Sequence, residues 1–251
     1  MTTSNPQFDA STLPLMKIHD WFDGPYPARV RIALAEKGLL ARTEFVSVNL
    51  WTGEHKQPEF LAINYSGTLP VLELDDGTLI AECTAITQYL DVLDDNPVLT
   101  GRTPVEKGLI HMMTKRAEIE FLDAVSTYFH HATPGLGPQV ELYQNAEWGN
   151  RMRDKAVRGM HYFDSVLRQQ PFVAGEHFSM ADIALLGGMI FASEFGTRAV
   201  REDVLRPVPR WAMVLSKWFA LATWVLVAAL LTWVTAIALG AVSCGLTDDW
   251  A

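Results

Sequence analysis

An α/β domain followed by an all-helical domain, ending in an apolar segment of different character, is the fold class this sequence of 251 residues predicts. Three observations carry it. Short strand-like runs alternate with helical patterns as far as Leu93. From Val105 onward the pattern is helical only, and Trp218 to Thr247 holds no charged residue. Alternating periods argue a mixed sheet covered by helices, and a sustained helical period argues a bundle packed on it.

Leu15 to Trp21 reads as the first strand. Gly24-Pro25-Tyr26-Pro27 turns the chain into a helix over Ala28–Lys37, with proline near the first helical position and Gly38 as the residue that ends it. Thr43 to Val48 is the second strand, and strand, helix and strand this close imply a right-handed parallel crossover. A polar loop over Asn49–Gln57 leads to a short helix over Pro58–Ile63. Val71–Leu74 and Thr78–Ala81 form a hairpin about Asp75-Asp76-Gly77, whose residues tolerate positive φ. Pro70 opens the first of these strands, where a missing N–H costs little, and the bond before it is a candidate for cis. Glu82 and Cys83 stand where strand gives way to a helix over Thr84–Leu93, so their region presents unpaired N–H groups.

Asp94–Pro104 is a linker. One long helix is expected over Val105–His131, a break over Thr133–Pro138, and a second long helix over Glu141–Gln169. Ser179-Met180-Ala181-Asp182 reads as a capping box opening a helix through Phe191, and this explains Asp182 structurally. The chain therefore divides into a leader (1–14), an α/β domain (15–94), a linker (95–104), a helical domain (105–200) and a tail (201–251).

The net charge of −9, without a block of Lys or Arg, argues against nucleic acid as a partner. Cys83 and Cys244 lie far apart and form neither a disulfide framework nor a metal-binding spacing, which suits a reducing, cytoplasmic setting with no metal. Met1 to Leu15 has no apolar core and reads as a mobile leader without a signal peptide. The tail leaves three readings open. Phe219 to Val242 is long enough to cross a bilayer, which takes about 20 apolar residues, and Arg206, Arg210 and Lys217 before it would keep the body cytoplasmic. The same segment could be a non-native stretch, for instance from a shifted reading frame, or a buried core helix.

The stretch from Asn64 to Ile86 resembles the glutathione-binding half of a thioredoxin-like domain in the cytosolic glutathione transferases. Gly24 to Leu34, Tyr128 to Gly137 and Phe178 to Asp182 are similar to a microbial subgroup of that family, and the resemblance runs from about Met16 to Ala192. It implies a thioredoxin-like βαβαββα domain joined to an all-helical one, a homodimer, and glutathione as co-substrate with no other cofactor. It implies that the backbone of Leu69, before Pro70, pairs with the cysteinyl part of glutathione, and that Glu82 and Cys83 hold its γ-glutamyl end. The family usually has Ser at Cys83. His55 or Lys56 would meet the glycyl carboxylate.

A glutathione transferase must make a thiolate. A free thiol with pKa near ~8.5 needs roughly 2.7 kcal/mol of preferential anion stabilisation to drop two units. Many relatives use a Tyr, Ser or Cys after the first strand. Here the corresponding turn offers Gly24 and Pro27, neither with a side-chain donor, and Tyr26 is its one hydroxyl. The amides and dipole at the start of the following helix are a second source. Ser126 and His130 are the third: they are i and i+4 on one helix face, and the resembling subgroup is thought to use a Ser and a His there through a water. His131 is the rival, about 100° away on the helix. Phe121, Tyr128, Phe129 and Trp148 are candidates for an electrophile pocket, or for core. The expected function is conjugation of glutathione to an electrophilic small molecule in detoxification; the alternative is a non-catalytic glutathione-fold module that binds a protein partner.

Overall fold

The computed structural model describes residue 13 and residues 15–194, all within the unit Met1–Val204. The expected leader (apart from that one residue) and the apolar segment 219–242 lie outside the described residues. Among the described residues no helix is long and apolar enough to cross a membrane.

The sheet is built as β1 (Met16–Asp20), β2 (Thr43–Ser47), β3 (Val71–Glu73) and β4 (Leu79–Ala81), in the order β2-β1-β3-β4. β1 runs parallel to β2 with Ile18 opposite Phe45, and antiparallel to β3 with Ile18 opposite Leu72. β4 closes the hairpin with Ile80 opposite Leu72. Between β1 and β2 lies α1 (Pro25–Glu36), the predicted crossover; α2 (Pro58–Ile63) and α3 (Cys83–Val92) complete the α/β part. Side chains alternate across a strand, so each inner strand feeds two layers. Met16, Ile18 and Leu72 pack with Val30, Leu34, Ile86 and Leu90 of α1 and α3. Val71 instead joins Val48, Phe60 and Leu69 beneath α2. This is a thioredoxin-like four-stranded arrangement, as the sequence predicts.

The first helix begins earlier than expected. Gly24 is its N-cap and Pro25 its first residue, because a fixed φ suits the first turn and the missing N–H there costs little. Its end agrees with the expectation: Gly38 takes φ +68, a left-handed conformation that glycine adopts without steric cost.

The linker is ordered by one carboxylate. Asp91, fully buried, accepts hydrogen bonds from the N–H groups of Val98, Leu99 and Thr100 at 3.2, 2.9 and 2.7 Å and from the Thr100 hydroxyl at 2.8 Å. The Lys37 ammonium lies 3.2 Å from the same carboxylate and donates to the carbonyls of Asp91 and Asn96.

The expected single helix over Val105–His131 is α4 (Pro104–Ala117), a π-helical turn (Glu118–Leu122) and α5 (Asp123–Ala132) without a break. Two glycines of neighbouring helices abut that turn. A Cβ on Gly159 of α6 (Ala146–Leu167) would overlap the Glu120 carbonyl, and one on Gly188 of α7 (Met180–Glu194) would lie 2.5 Å from the Phe121 ring. α6 starts five residues later than the expected Glu141, since the Asn145 side chain accepts from Trp148 N–H and caps it there. At α7 Asp182 accepts from Ser179 N–H at 2.9 Å, one half of the expected capping box, while the Ser179 hydroxyl accepts from Ala181 N–H rather than from Asp182 N–H; Asp182 also accepts from Val173 N–H at 2.8 Å.

Asp91→Ala leaves three linker amides without their acceptor and takes from the buried Lys37 ammonium one of its two carboxylate partners, Asp94 at 2.7 Å remaining. The expected loss is about 3–5 kcal/mol, read as a lower urea midpoint at unchanged slope.

Candidate functional site

A cleft of about 610 Å³ opens where the start of α1, the loop before β3, the start of α3 and the inner face of α5 converge. All ten residues expected at the site line it: Gly24, Tyr26, His55, Lys56, Leu69, Pro70, Glu82, Cys83, Ser126 and His130.

Its floor is largely backbone. Leu69 precedes a cis peptide bond to Pro70 and lies outside the strands, and neither its N–H nor its carbonyl has a partner among the described residues. Glu82 is held at φ 69, ψ 121 as N-cap of α3, a conformation uncommon outside glycine. That twist leaves the first-turn amides of α3 facing outward. The Cys83 side chain turns inward, at a position where the resembling family usually has Ser. It is buried, it donates to the Tyr26 carbonyl at 3.3 Å, and burial pushes its thiol up to about 11 against the pull of Arg29. Cys83 therefore ties α3 to the α1 turn and leaves its N–H as the group offered to a ligand.

The α1 turn cannot hold a side-chain donor at its first position. A Cβ on Gly24 would sit 2.8 Å from the Pro27 ring and 2.9 Å from the Trp21 carbonyl. The expected cluster of helix-start amides is also thinner than the sequence implies: Pro25 and Pro27 have no N–H and Ala28 N–H is bound to the Gly24 carbonyl, so Tyr26 N–H alone is unpartnered in that turn. The Tyr26 hydroxyl donates to Asp123 of α5 at 3.0 Å, with Ser126 a further hydrogen-bonding neighbour. Burial and then the Asp123 charge raise its pKa above the ordinary phenol value, so it is neither free nor acidic.

His55 and Lys56 come from a 3₁₀ turn over Glu54–Lys56. Lys56 donates to the Ser66 and Gly67 carbonyls at 3.3 and 2.9 Å. His55 is buried and its Nδ1 has no partner. Burial, then the charges of Lys56 and His130, lower its pKa to about 4, so it enters the site neutral.

Ser126 and His130 face the cleft together from α5, with Phe129 between them. His130 Nδ1 lies 2.7 Å from Glu141, and its ring meets Phe129 and Phe191 edge-on at centroid distances of 5.0 and 6.5 Å. His131, the rival, points elsewhere: its Nδ1 accepts from Asn145 N–H at 3.1 Å and its ring meets Tyr143. Of the candidate pocket aromatics only Phe129 lines the cleft. Phe121 and Tyr128 are core, and Trp148 is exposed on α6 away from it. Leu50, Leu136, Val140 and Phe191 supply the apolar wall instead, from loops and from α7, where no helical period marks them. Asp123 and Glu141 also escaped the sequence reading; Glu141 fell at an expected helix start.

A backbone-floored cleft on a thioredoxin-like sheet, faced by polar side chains of a helical layer, is the arrangement that the resemblance to the glutathione transferases implies. The glutathione S-transferase N-terminal domain family matches residues 23–93. Glutathione S-transferase 2 of Saccharomyces cerevisiae is 72% identical over 178 residues, covering 71% of this chain and 76% of that protein. The crystal structure of Gtt2 from S. cerevisiae superposes with a TM-score of 0.70 at 67% identity, covering 76% of this chain and 94% of that one. A glutathione S-transferase domain-containing protein of Marinobacter aquaeolei superposes at 0.69 with 44% identity, covering 77% and 98%. The chain belongs to the glutathione S-transferase family and is a glutathione transferase. The non-catalytic alternative falls with that assignment.

The folded pKa of His55, about 4, lies below the ordinary ~6.5, so the unfolded chain binds more protons between them. That contribution to stability is present above pH ~6.5 and is lost as pH falls toward 4. His55→Gln should lose less stability than the parent chain between pH 7 and 5, compared by denaturation midpoints at both values.

Proposed function

We propose that this transferase adds the glutathione thiolate to electrophilic small molecules, a detoxification chemistry, and that Ser126 and His130 supply the proton acceptor. One observation carries the reading: the α1 turn has no free side-chain donor, whereas two hydrogen-bonding side chains of α5 face the same cleft. The backbone of Leu69 would pair with the cysteinyl unit, setting the sulfur between the α1 turn and α5. The Cys83 amide and Glu82 would take the γ-glutamyl end. Lys56 and His55 would face the glycyl carboxylate, for which the unpartnered Nδ1 of His55 is suited in its N–H tautomer.

In the chemical step the thiol proton passes to a water held by the Ser126 hydroxyl and the His130 imidazole. The electron pair of the broken S–H bond stays on sulfur, where Tyr26 N–H can donate to it. Such general-base assistance is worth about 10²–10⁴-fold. The thiolate then attacks an electrophile resting on Leu50, Phe129, Leu136, Val140 and Phe191.

The chain is read as a cytoplasmic homodimer. Val105 and Leu109 expose apolar side chains along α4, and Val92 does so at the end of α3, which supports pairing through that side; sedimentation of the full chain at micromolar concentration should give twice the monomer mass.

The absorbance of bound glutathione thiolate across pH tests the mechanism. In the parent chain the thiolate should form about two units below the free-thiol value. Ser126→Ala and His130→Ala should each restore the ordinary titration and lower kcat by about 10²-fold, with KM for glutathione little changed. An unaltered thiolate titration in His130→Ala would sink the assignment.

A further inference from the structure

Glu141 belongs to no helix or strand, yet its side chain is only 9% exposed. One oxygen, Oε1, accepts from Leu136 N–H at 2.8 Å and lies 2.7 Å from His130 Nδ1. The loop between α5 and α6 is fastened around this carboxylate. Gln144 donates from its amide to the His130 and Thr133 carbonyls at 2.8 and 2.7 Å, and the Thr133 hydroxyl donates to the Phe129 carbonyl at 2.6 Å. Gly135, at φ +55, lies so close that a Cβ there would overlap the Glu141 carboxylate. Glutamate at this place is therefore seated from several sides, with its charge directed at one imidazole.

A carboxylate oxygen can only accept, so Nδ1 of His130 carries the hydrogen. In the neutral imidazole Nε2 is then the bare lone pair. Nε2 has no hydrogen-bond partner among the described residues, and His130 lines the cleft. The edge contacts of Phe129 and Phe191 restrict the ring's rotation.

We propose that Glu141 is a positioning residue for the reaction: it holds His130 in the Nδ1–H tautomer, with Nε2 toward the substrate thiol, and stabilises the imidazolium that forms. This rests on the reading of His130 as proton acceptor. The S–H bond breaks, its pair stays on sulfur, and the proton moves through the water to make Nε2–H. The positive ring is then matched by the carboxylate 2.7 Å away. This is the division of labour among nucleophile, base and orienting acid in hydrolytic triads, with the nucleophile brought by the substrate.

Nitrogen NMR of the full, isotope-labelled chain without glutathione reads the tautomer directly, using His130→Ala to assign the signal. At a pH where the ring is neutral, the expected pattern is a protonated Nδ1 and a bare Nε2; the opposite tautomer overturns the proposal whatever the turnover. Glu141→Gln keeps an oxygen for Leu136 N–H but removes the charge. It should lower kcat at least ~10-fold, toward the ~10⁴-fold known for a neutralised triad carboxylate, with KM for glutathione and the melting temperature little changed. A fully active Glu141→Gln beside a crippled His130→Ala defeats the positioning role alone. A fully active His130→Ala defeats the base reading beneath it.

Discussion

The arrangement of the cleft depends on one buried carboxylate, Glu118. Its Oε1 accepts from Arg29 of α1 at 2.7 Å and from Thr84 in the first turn of α3 at 2.8 Å, and its Oε2 from Lys115 at 2.7 Å. Burial acts to raise its pKa, but Arg29 and the hydrogen bonds from Lys115 and Thr84 outweigh it and hold it below the ordinary carboxylate range. A buried ion pair is weak evidence of net stability, because desolvation offsets most of the attraction. What it does supply is registry. Glu118 opens the π-helical turn leading into α5, so its bonds fix the helix carrying Ser126 and His130 against the two helix starts that floor the cleft. Widened turns of this kind recur at functional sites, since they shift a helix face without breaking the helix.

The second constraint is steric. The turn before α1 is so closely packed, Gly24 against Pro27 and Trp21, that no hydroxyl or thiol can occupy its first position. Two prolines then remove N–H groups that would otherwise stabilise an anion. Tyr26 could have compensated, but its hydroxyl spans to Asp123 and serves as another tie between α1 and α5. Every side-chain donor in the turn is absent or committed, and this is why the proposed mechanism assigns proton removal to the facing helix. There His130 is held by a carboxylate behind it and aromatic edges beside it. In that mechanism the placing of the chemistry on α5 follows from packing in α1.

Most of the architecture was legible because it rests on local rules. Asp75-Asp76-Gly77 marks a hairpin, Gly38 stops a helix, and apolar runs of strand length locate β1 to β3. The helix boundaries misread were those set by side chains acting over a few residues: the Asn145 cap that delays α6, and the π-helical turn whose glycine contacts come from α6 and α7. The same limit applies to the site. Ser126 and His130 share a helix face by their spacing, and the family resemblance singled them out as a pair. The Glu141–His130 contact joins residues across a loop whose path is fixed by Gln144, Thr133 and Gly135, and no periodicity encodes such a path. The apolar wall was misassigned for a related reason. Helical spacing finds the face of Phe121 and Tyr128 that packs inward, whereas the cleft draws Leu50, Leu136 and Val140 from irregular segments.

These constraints separate recognition from reaction. The groups facing a peptide ligand are chiefly main-chain ones: Leu69 N–H and C=O, the amide at the start of α3, and Tyr26 N–H. Any sequence that keeps the fold supplies them, which explains how Cys83 can stand where a serine is usual while its thiol turns inward to Tyr26. The proposed handling of the reacting proton, by contrast, falls to side chains of α5 and the loop after it, whose geometry depends on specific contacts. The binding half can therefore tolerate substitution as long as its backbone holds, and the proton-transfer half cannot. Loss of the α1 donor is compatible with retained chemistry because the two tasks reside on different elements, joined through Glu118 and Tyr26.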